Sequence, residues 1–135
     1  MVRTNMCEIF DIVVDIGEVM EVCDSNVTAK LITFTGSCQG DYFNGKVLPG
    51  GVDRQLILGD GTGQLSARYM LEGTDAKSQA CRVFIDNIGT VDKDGCIETM
   101  PVVYTDSQYL QEILHTRLFG KVAFEDGRLH VHIYG

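Results

Sequence analysis

The sequence of 135 residues is poor in basic residues, has only two prolines and has no tryptophan. Its 11 lysines and arginines are outnumbered by 19 aspartates and glutamates, which gives a formal charge of −8 at pH 7. Proteins that bind nucleic acid or anionic lipid need clustered lysine and arginine, whereas the basic residues here are scattered singly. The composition therefore predicts no nucleic-acid partner and no membrane partner.

Long apolar runs are also missing. No segment approaches the roughly 20 consecutive apolar residues that a membrane-spanning helix needs. Glu8, Asp11 and Asp15 interrupt the only stretch near the start that resembles the apolar core of a signal peptide. We therefore expect a cytoplasmic protein.

Several motifs of cofactor and nucleophile chemistry are absent. The five cysteines are widely spaced and form no C-x-x-C pair, so in a reducing compartment we expect them to be free thiols. The glycine-rich turn Gly59–Gly63 lacks the G-K-[ST] ending of a phosphate loop, and no G-x-S-x-G nucleophile motif occurs. The sequence predicts no cofactor.

What the chain does contain is a series of short β-branched runs separated by turn signals. The predicted strands include Ile9–Val14, Val19–Val22, Val27–Thr35, Asp41–Leu48, Val52–Leu58, Gln64–Glu72, Ala80–Val91 and Cys96–Tyr104. Gly17 interrupts the first run, in the manner of a bulge. Asp126-Gly127 between two apolar runs predicts a further hairpin. About eight to ten strands without intervening crossover helices predict one all-β domain over residues 1–135, an antiparallel sandwich or barrel.

One segment has helical periodicity. Between Asp106 and His115, apolar residues recur at helical spacing, and Asp106 is a suitable N-cap. We expect a helix of two or three turns that covers an open end of the barrel.

Two blocks carry a family resemblance. They are Asn-Gly-Lys-Val-Leu-Pro-Gly-Gly-Val-Asp-Arg-Gln at residues 44–55 and Leu-Ser-Ala-Arg-Tyr at residues 65–69. They resemble the family catalogued as domain of unknown function 3237, whose pattern is roughly G-x-V-L-P-G-G-A-D-W-Q followed by L-x-A-R-Y. The resemblance extends from about Ile9 to Tyr134. It implies a single antiparallel lipocalin-like β-barrel and no particular reaction.

Two positions depart from the family pattern. Arg54 stands where the pattern has tryptophan, and Gly36-Ser37 stands where it often has a pair of glycines. A pocket wall built from that tryptophan would therefore differ in this chain.

Asp53, Gln55 and Arg68 are the main candidate site residues. Alternation along a strand places Asp53 and Gln55 on one face, and Arg68 lies on the next strand across a turn. Facing inward, Asp53 and Arg68 would form a charged pair that orients a ligand's carbonyl or carboxylate group. Asp53 could also act as a general base if its pKa were raised. The alternative is a structural pair that fixes the strand register.

Tyr42 and Tyr69 could line the same cavity, because a tyrosine ring is apolar and its hydroxyl can bind a ligand. The alternative for both is ordinary packing inside the barrel.

His130 and His132 stand two residues apart and so share one face of the last strand. Such a pair holds a metal only with a third ligand, which His115 or Glu125 could provide. A solvent-facing histidine pair is the commoner arrangement, and we predict no metal.

Three functions remain after these exclusions. The leading hypothesis is a barrel that binds a small, largely apolar molecule. The second is a cofactor-independent isomerase, cyclase or hydratase acting on a carbonyl compound, with Asp53 as acid/base and Arg68 as electrostatic stabiliser. The third is a structural protein with a filled barrel that acts through a homo-oligomer surface. A cavity of several hundred Å³ with Asp53 and Arg68 in its wall would favour the first two.

Overall fold

The computed structural model describes residues 6–135, which form nine strands and one short helix. The elements in chain order are β1 (Glu8–Cys23), β2 (Val27–Cys38), β3 (Phe43–Val47), β4 (Val52–Leu58), β5 (Gly63–Asp75), β6 (Ala80–Val91), β7 (Ile97–Thr105), α1 (Gln108–Ile113), β8 (Phe119–Glu125) and β9 (Arg128–Tyr134).

The strands close into an antiparallel barrel with eight positions. The first strand β1 pairs with both β2 and the last strand β9, which closes the sheet. Strands β3 and β4 share one position, because both pair with β2 on one side and β5 on the other. The break between them lies at Pro49-Gly50-Gly51, where Gly50 has a φ of 109° that favours glycine. The predicted all-β barrel is confirmed.

Alternation along the strands fills one half of the barrel with apolar side chains. Every second residue of a strand points inward, so β-branched and aromatic residues at those positions build a core. The largest fully buried apolar side chains are Phe10, Ile12, Phe43, Leu71, Val83, Ile85, Leu110 and Ile133. Phe10 and Phe43 meet edge to face with ring centroids 6.0 Å apart.

Gly17 does not end the first strand. The register between β1 and β2 shifts between Ile16 and Val19, and β1 continues to Cys23. The predicted bulge is confirmed, and it lengthens β1 and β2 into a hairpin that extends past the cavity end of the barrel.

The helix is shorter than expected and has a different N-cap. It has six residues, and Ser107 rather than Asp106 caps it by accepting a hydrogen bond from the Leu110 amide. Asp106 instead accepts from the Arg82 amide at 2.9 Å, so its side chain is already engaged. The fully buried Leu110 packs into the core, which confirms that the helix covers one barrel end. Across residues 6–135 no helix is long and apolar enough to span a bilayer.

The Asp126-Gly127 hairpin also forms as predicted. Both residues have positive φ, 52° and 75° respectively, which is the backbone of a tight turn whose twist suits antiparallel strands. The turn joins β8 to β9, so it places the last strand beside β1 for closure.

Ile85 and Ile88 allow a matched test of the core. Ile85 is fully buried and Ile88 on the same strand is 48% exposed. We expect Ile85→Ala to lower the free energy of unfolding by about 2–5 kcal/mol because it leaves a cavity. Ile88→Ala should cost about 1 kcal/mol or less. Urea denaturation measures both, and equal losses would show that the interior is not the stabilising core.

Candidate functional site

A cavity of about 120 Å³ lies inside the barrel at the end opposite α1. Its wall is mainly apolar and includes side chains from all eight barrel positions. The apolar lining residues are Val14, Ile16, Ile32, Phe34, Leu65, Ala67, Ile97, Val122, Leu129 and Val131. The polar lining residues are Asp53, Gln55, Tyr69 and Asn87, which converge from β4, β5 and β6.

Asp53 places a poorly solvated carboxyl group in this cavity. One oxygen, Oδ2, accepts a hydrogen bond from the Gln55 amide at 2.7 Å, while the buried Oδ1 has no protein partner. Burial raises the pKa of Asp53 above its ordinary value, although the Gln55 hydrogen bond and the Arg54 charge oppose the shift. The carboxyl group can therefore hold or release a proton towards a molecule in the cavity.

Tyr69 supplies a buried hydroxyl. Its ring packs edge to face on Phe34 at a centroid distance of 5.2 Å, and the hydroxyl has no protein partner. Burial, with the nearby Cys38 and Asp53, raises the pKa of Tyr69 far above its ordinary value. The phenol thus remains neutral and can donate a hydrogen bond.

Asn87 adds a further polar group to the cavity lining, and Thr99 is a buried polar group close to it; the sequence reasoning missed both. Each is buried, and each has a side-chain oxygen without a protein partner. A Cβ atom at Gly120 would lie 1.9 Å from Thr99 Oγ1 and 3.2 Å from Asn87 Oδ1, so glycine makes room for both. The available signal was alternation, because Asn87 continues the inward series of Val83 and Ile85 with a polar residue.

Arg68 lies outside the barrel, and the predicted inward pair with Asp53 is wrong. The β4–β5 register places Asp53 opposite Ala67 and Val52 opposite Arg68. Residues opposite each other in a ladder share a face, so Arg68 faces outward with Val52. It is exposed, and its Nε donates to Ser66 Oγ at 3.3 Å. The register between β4 and β5 is thus one residue away from the register that would place Arg68 beside Asp53.

Tyr42 is also away from the cavity. Its hydroxyl contacts Cys7 Sγ at 3.8 Å, near the end of the barrel that α1 covers. The expectation that Tyr42 and Tyr69 line one cavity is correct only for Tyr69.

The two C-terminal histidines gather acidic neighbours on the outer face. Asp11, His130 and His132 offer ligand atoms that all lie within 4.8 Å of one another. Glu125 contacts both histidines. His115, which follows α1, instead contacts the carbonyl of Glu112 in that helix. The pair is not simply solvent-facing, because the imidazoles are only 15% and 12% exposed.

The cysteines do not provide a nucleophile to the cavity. All five are free thiols, and Cys38 and Cys81 are buried. Burial raises the pKa of Cys38 to about 12, so the reactive thiolate is scarce at neutral pH.

Residues 5–95 match the model of the family described as "Protein of unknown function (DUF3237)". The chain belongs to this family. A UPF0311 protein from Clostridium acetobutylicum is 30% identical over 106 residues, which are 76% of this chain. The chain spans about 60% of the length of that curated relative.

Solved structures share the DUF3237 barrel. A protein of unknown function from C. acetobutylicum has a TM-score of 0.81 at 26% identity, covering 96% of this chain and 97% of that one. A protein of unknown function from Rhodopseudomonas palustris gives 0.78 at 21% identity, covering 96% and 95%. An enzyme from Penicillium herquei gives 0.74 at 16% identity, covering 97% and 94%. The last two likenesses show the fold alone.

The departures from the DUF3237 pattern lie outside the cavity. Arg54 is opposite Leu31 and Ser66, on the face away from Asp53. Ser37 is opposite Val13, on the outer face of β1 and β2. Arg54 is therefore not part of the cavity wall, contrary to the expectation from the sequence, and it acts on the cavity through its charge, which opposes the raised pKa of Asp53.

The raised pKa of Asp53 has a defined effect on stability. The folded state holds the Asp53 proton more tightly than the unfolded state, so stability falls as pH rises from about the unfolded value of 3.8 through the raised folded pKa. Asp53→Asn removes this loss. We expect the free energy of unfolding of the variant, minus that of the natural protein, to be larger at pH 7 than at pH 3, so that the variant is relatively more stable at pH 7.

Asp60→Asn provides a control of opposite sign. Hydrogen bonds from Thr62 hold the pKa of Asp60 below its ordinary value, so its contribution is lost as pH falls. Chemical denaturation across this pH range measures both variants. The same pH dependence in both would contradict a desolvated Asp53.

Proposed function

We propose that the barrel binds one small, neutral, largely apolar molecule that carries a hydroxyl or similar hydrogen-bonding group. The apolar lining would hold the body of the molecule, and Asp53, Tyr69 and Asn87 would hold its polar end. The proposal is carried by three buried oxygens of the cavity lining, Asp53 Oδ1, the Tyr69 hydroxyl and Asn87 Oδ1, which have no protein partner within residues 6–135.

Unpaired buried oxygens are costly. Leaving a buried donor or acceptor unsatisfied costs about 1–3 kcal/mol for each group. A barrel filled for structural purposes alone would avoid this cost with apolar side chains at the same positions. A polar molecule within the cavity offsets it by supplying the missing hydrogen bonds.

The cavity volume limits the size of the molecule. At about 120 Å³ it is smaller than the cavity of several hundred Å³ that, from the sequence, would favour a binding or catalytic function. An engineered protein cavity of about 150 Å³ binds benzene. A single ring or a short branched chain is therefore the size class that fits inside, with any longer tail passing the mouth.

The charge of the lining limits its chemistry. The side chains that line the cavity include one carboxyl group and no lysine, arginine or histidine. With Arg68 outside, an anionic ligand would meet the Asp53 carboxylate without a compensating cation. A neutral ligand that donates a hydrogen bond to Asp53 suits this wall better.

A second candidate is acid–base catalysis on a carbonyl compound. Asp53 would take a proton from the carbon beside the carbonyl and return it elsewhere, while the Tyr69 hydroxyl would stabilise the developing oxyanion. Tyr69 thus replaces Arg68 in the role expected from the sequence. The raised pKa of Asp53 favours this candidate, because a general base works best when its pKa is close to the operating pH. Fold likeness to the Penicillium herquei enzyme assigns no reaction here.

Phenol and benzene provide matched probes of the cavity. We expect phenol to bind more tightly than benzene, by about 1 kcal/mol or fivefold, because only phenol can pair with the unsatisfied oxygens. Ala67→Leu, which fills the cavity, should abolish phenol binding, while the outer-face variant Arg68→Ala should not change it. Isothermal titration calorimetry measures the affinities.

Native mass spectrometry of protein taken directly from cells tests for a retained ligand. A bound neutral molecule, lost in Ala67→Leu, would support the proposal. No retained molecule, together with no phenol binding or with equal binding to Ala67→Leu, would refute it. Turnover that Asp53→Asn abolishes while binding persists would favour the enzymatic candidate.

A further inference from the structure

On the outer face of the barrel, we propose a site for Zn²⁺ or a similar first-row divalent metal ion, formed by His130, His132, Asp11 and Glu8. The first three residues bring their ligand atoms within 4.8 Å of one another. This site is separate from the interior cavity, because its residues belong to the opposite face of β1 and β9.

The closure of the barrel assembles the cluster. His130 and His132 alternate with the inward-facing Val131, so both imidazoles lie on the outer face. The β1–β9 register puts Asp11 directly opposite His132. A carboxylate from the first strand thus meets two imidazoles from the last.

A bulge adds Glu8 to this face. Asp11 lies three positions after Glu8, so strict alternation would put the two side chains on opposite faces. The β1–β9 register shifts between Glu8 and Phe10, and both Ile9 and Phe10 are buried. This break in alternation returns Glu8 to the outer face, where its carboxylate contacts His132 Nδ1.

The side chains lie close enough together to reach a four-coordinate ion, and the contact between Asp11 and His130, now at hydrogen-bond length, would open slightly around it. Asp11 Oδ1 lies 2.8 Å from His130 Nδ1 and 3.7 Å from His132 Nδ1. Metal bonds of about 2.0–2.2 Å place neighbouring ligands of a tetrahedron roughly 3.3–3.6 Å apart. Two imidazoles and two carboxylates form a donor set that Zn²⁺ accepts.

Glu125 is a positioning residue for His132. Its carboxylate oxygens lie 3.1 Å from His132 Nε2, the nitrogen on the far side of the ring from Asp11 and Glu8. When the carboxylate accepts a hydrogen bond from Nε2–H, the ring proton stays on Nε2 and the lone pair of Nδ1 is free for the metal. On β8, the residue opposite His130 is Ala123, whose small side chain leaves room beside the imidazole.

The local charge also favours a cation. Three carboxylates, from Glu8, Asp11 and Glu125, contact the two histidines. Two cations lie in the β8–β9 ladder on this face: Lys121 is opposite His132, and Arg128 is opposite Glu125 and pairs with Asp15. A bound divalent ion would neutralise the excess negative charge and cross-link the first strand to the last.

Binding of ZnCl₂ to chelator-treated protein at pH 7.5 tests the site by calorimetry. We expect one ion per chain, and His130→Ala, His132→Ala or Asp11→Asn should weaken binding more than tenfold. Glu125→Gln should weaken it about 10–100-fold through His132. His115→Ala is the matched control and should bind normally, because His115 lies outside the cluster.

Cobalt separates this site from the exposed thiol of the adjacent Cys7. Four-coordinate Co²⁺ bound here should give visible d–d bands without a thiolate-to-cobalt charge-transfer band, and Cys7→Ser should give the same spectrum. Circular dichroism establishes that each variant is folded. If a histidine variant is unfolded, Asp11→Asn takes its place as the variant that tests the site.

Three results would overturn the proposal. One is no Zn²⁺ binding by the natural protein. Another is unchanged binding in folded His132→Ala or Asp11→Asn. The third is a thiolate band that Cys7→Ser removes. In the last two cases the histidines are held by carboxylates as a purely structural network.

Discussion

Pairing of the first strand with the last is the constraint on which the rest of the structure depends. Without the β1–β9 ladder, both strands would be open edges with unpaired backbone groups, and the apolar inner face would be exposed. Because the side-chain period of a strand is two residues, the ladder also fixes which residues are inside. A one-residue slip would bring His130 inward and expel Val131.

The same strands therefore carry two separate chemical environments. Inside, β9 contributes Leu129 and Val131 to an apolar wall around a few carboxyl, amide and hydroxyl groups. Outside, the intervening His130 and His132 meet carboxylates. Neither environment needs a loop, since each is built on paired strands whose rigidity holds side chains in place.

Much of the architecture was predictable because local signals and the global fold agree. A bulge lies at Gly17, the break between β3 and β4 lies at Pro49-Gly50-Gly51, and a tight turn lies at Asp126-Gly127. Asp53 was correctly placed inside by alternation along its own strand. Arg68 was misplaced because its face depends on the register with a neighbouring strand, and turn composition does not determine register to one residue.

Other features could not be obtained from spacing along the sequence. Asn87 and Thr99 become part of a polar site only when β6 and β7 are brought around the barrel. The pairing of Asp11 with His132 joins residues 121 positions apart, through the closure of the sheet. Ser107 caps the helix in place of Asp106 because two distant contacts hold these side chains: the Arg82 amide engages Asp106, and Asp75 at the end of β5 accepts a hydrogen bond from the Ser107 hydroxyl at 2.6 Å.

The covering of one barrel end by Leu110 has a kinetic consequence. A ligand bound as we propose would have to enter and leave by the other end, where Ile16 and Leu129 line the cavity. Its residence time would then follow the breathing of the long β1–β2 hairpin beside that opening. Selection by shape would act on the inserted head of the molecule and leave its tail unconstrained in water.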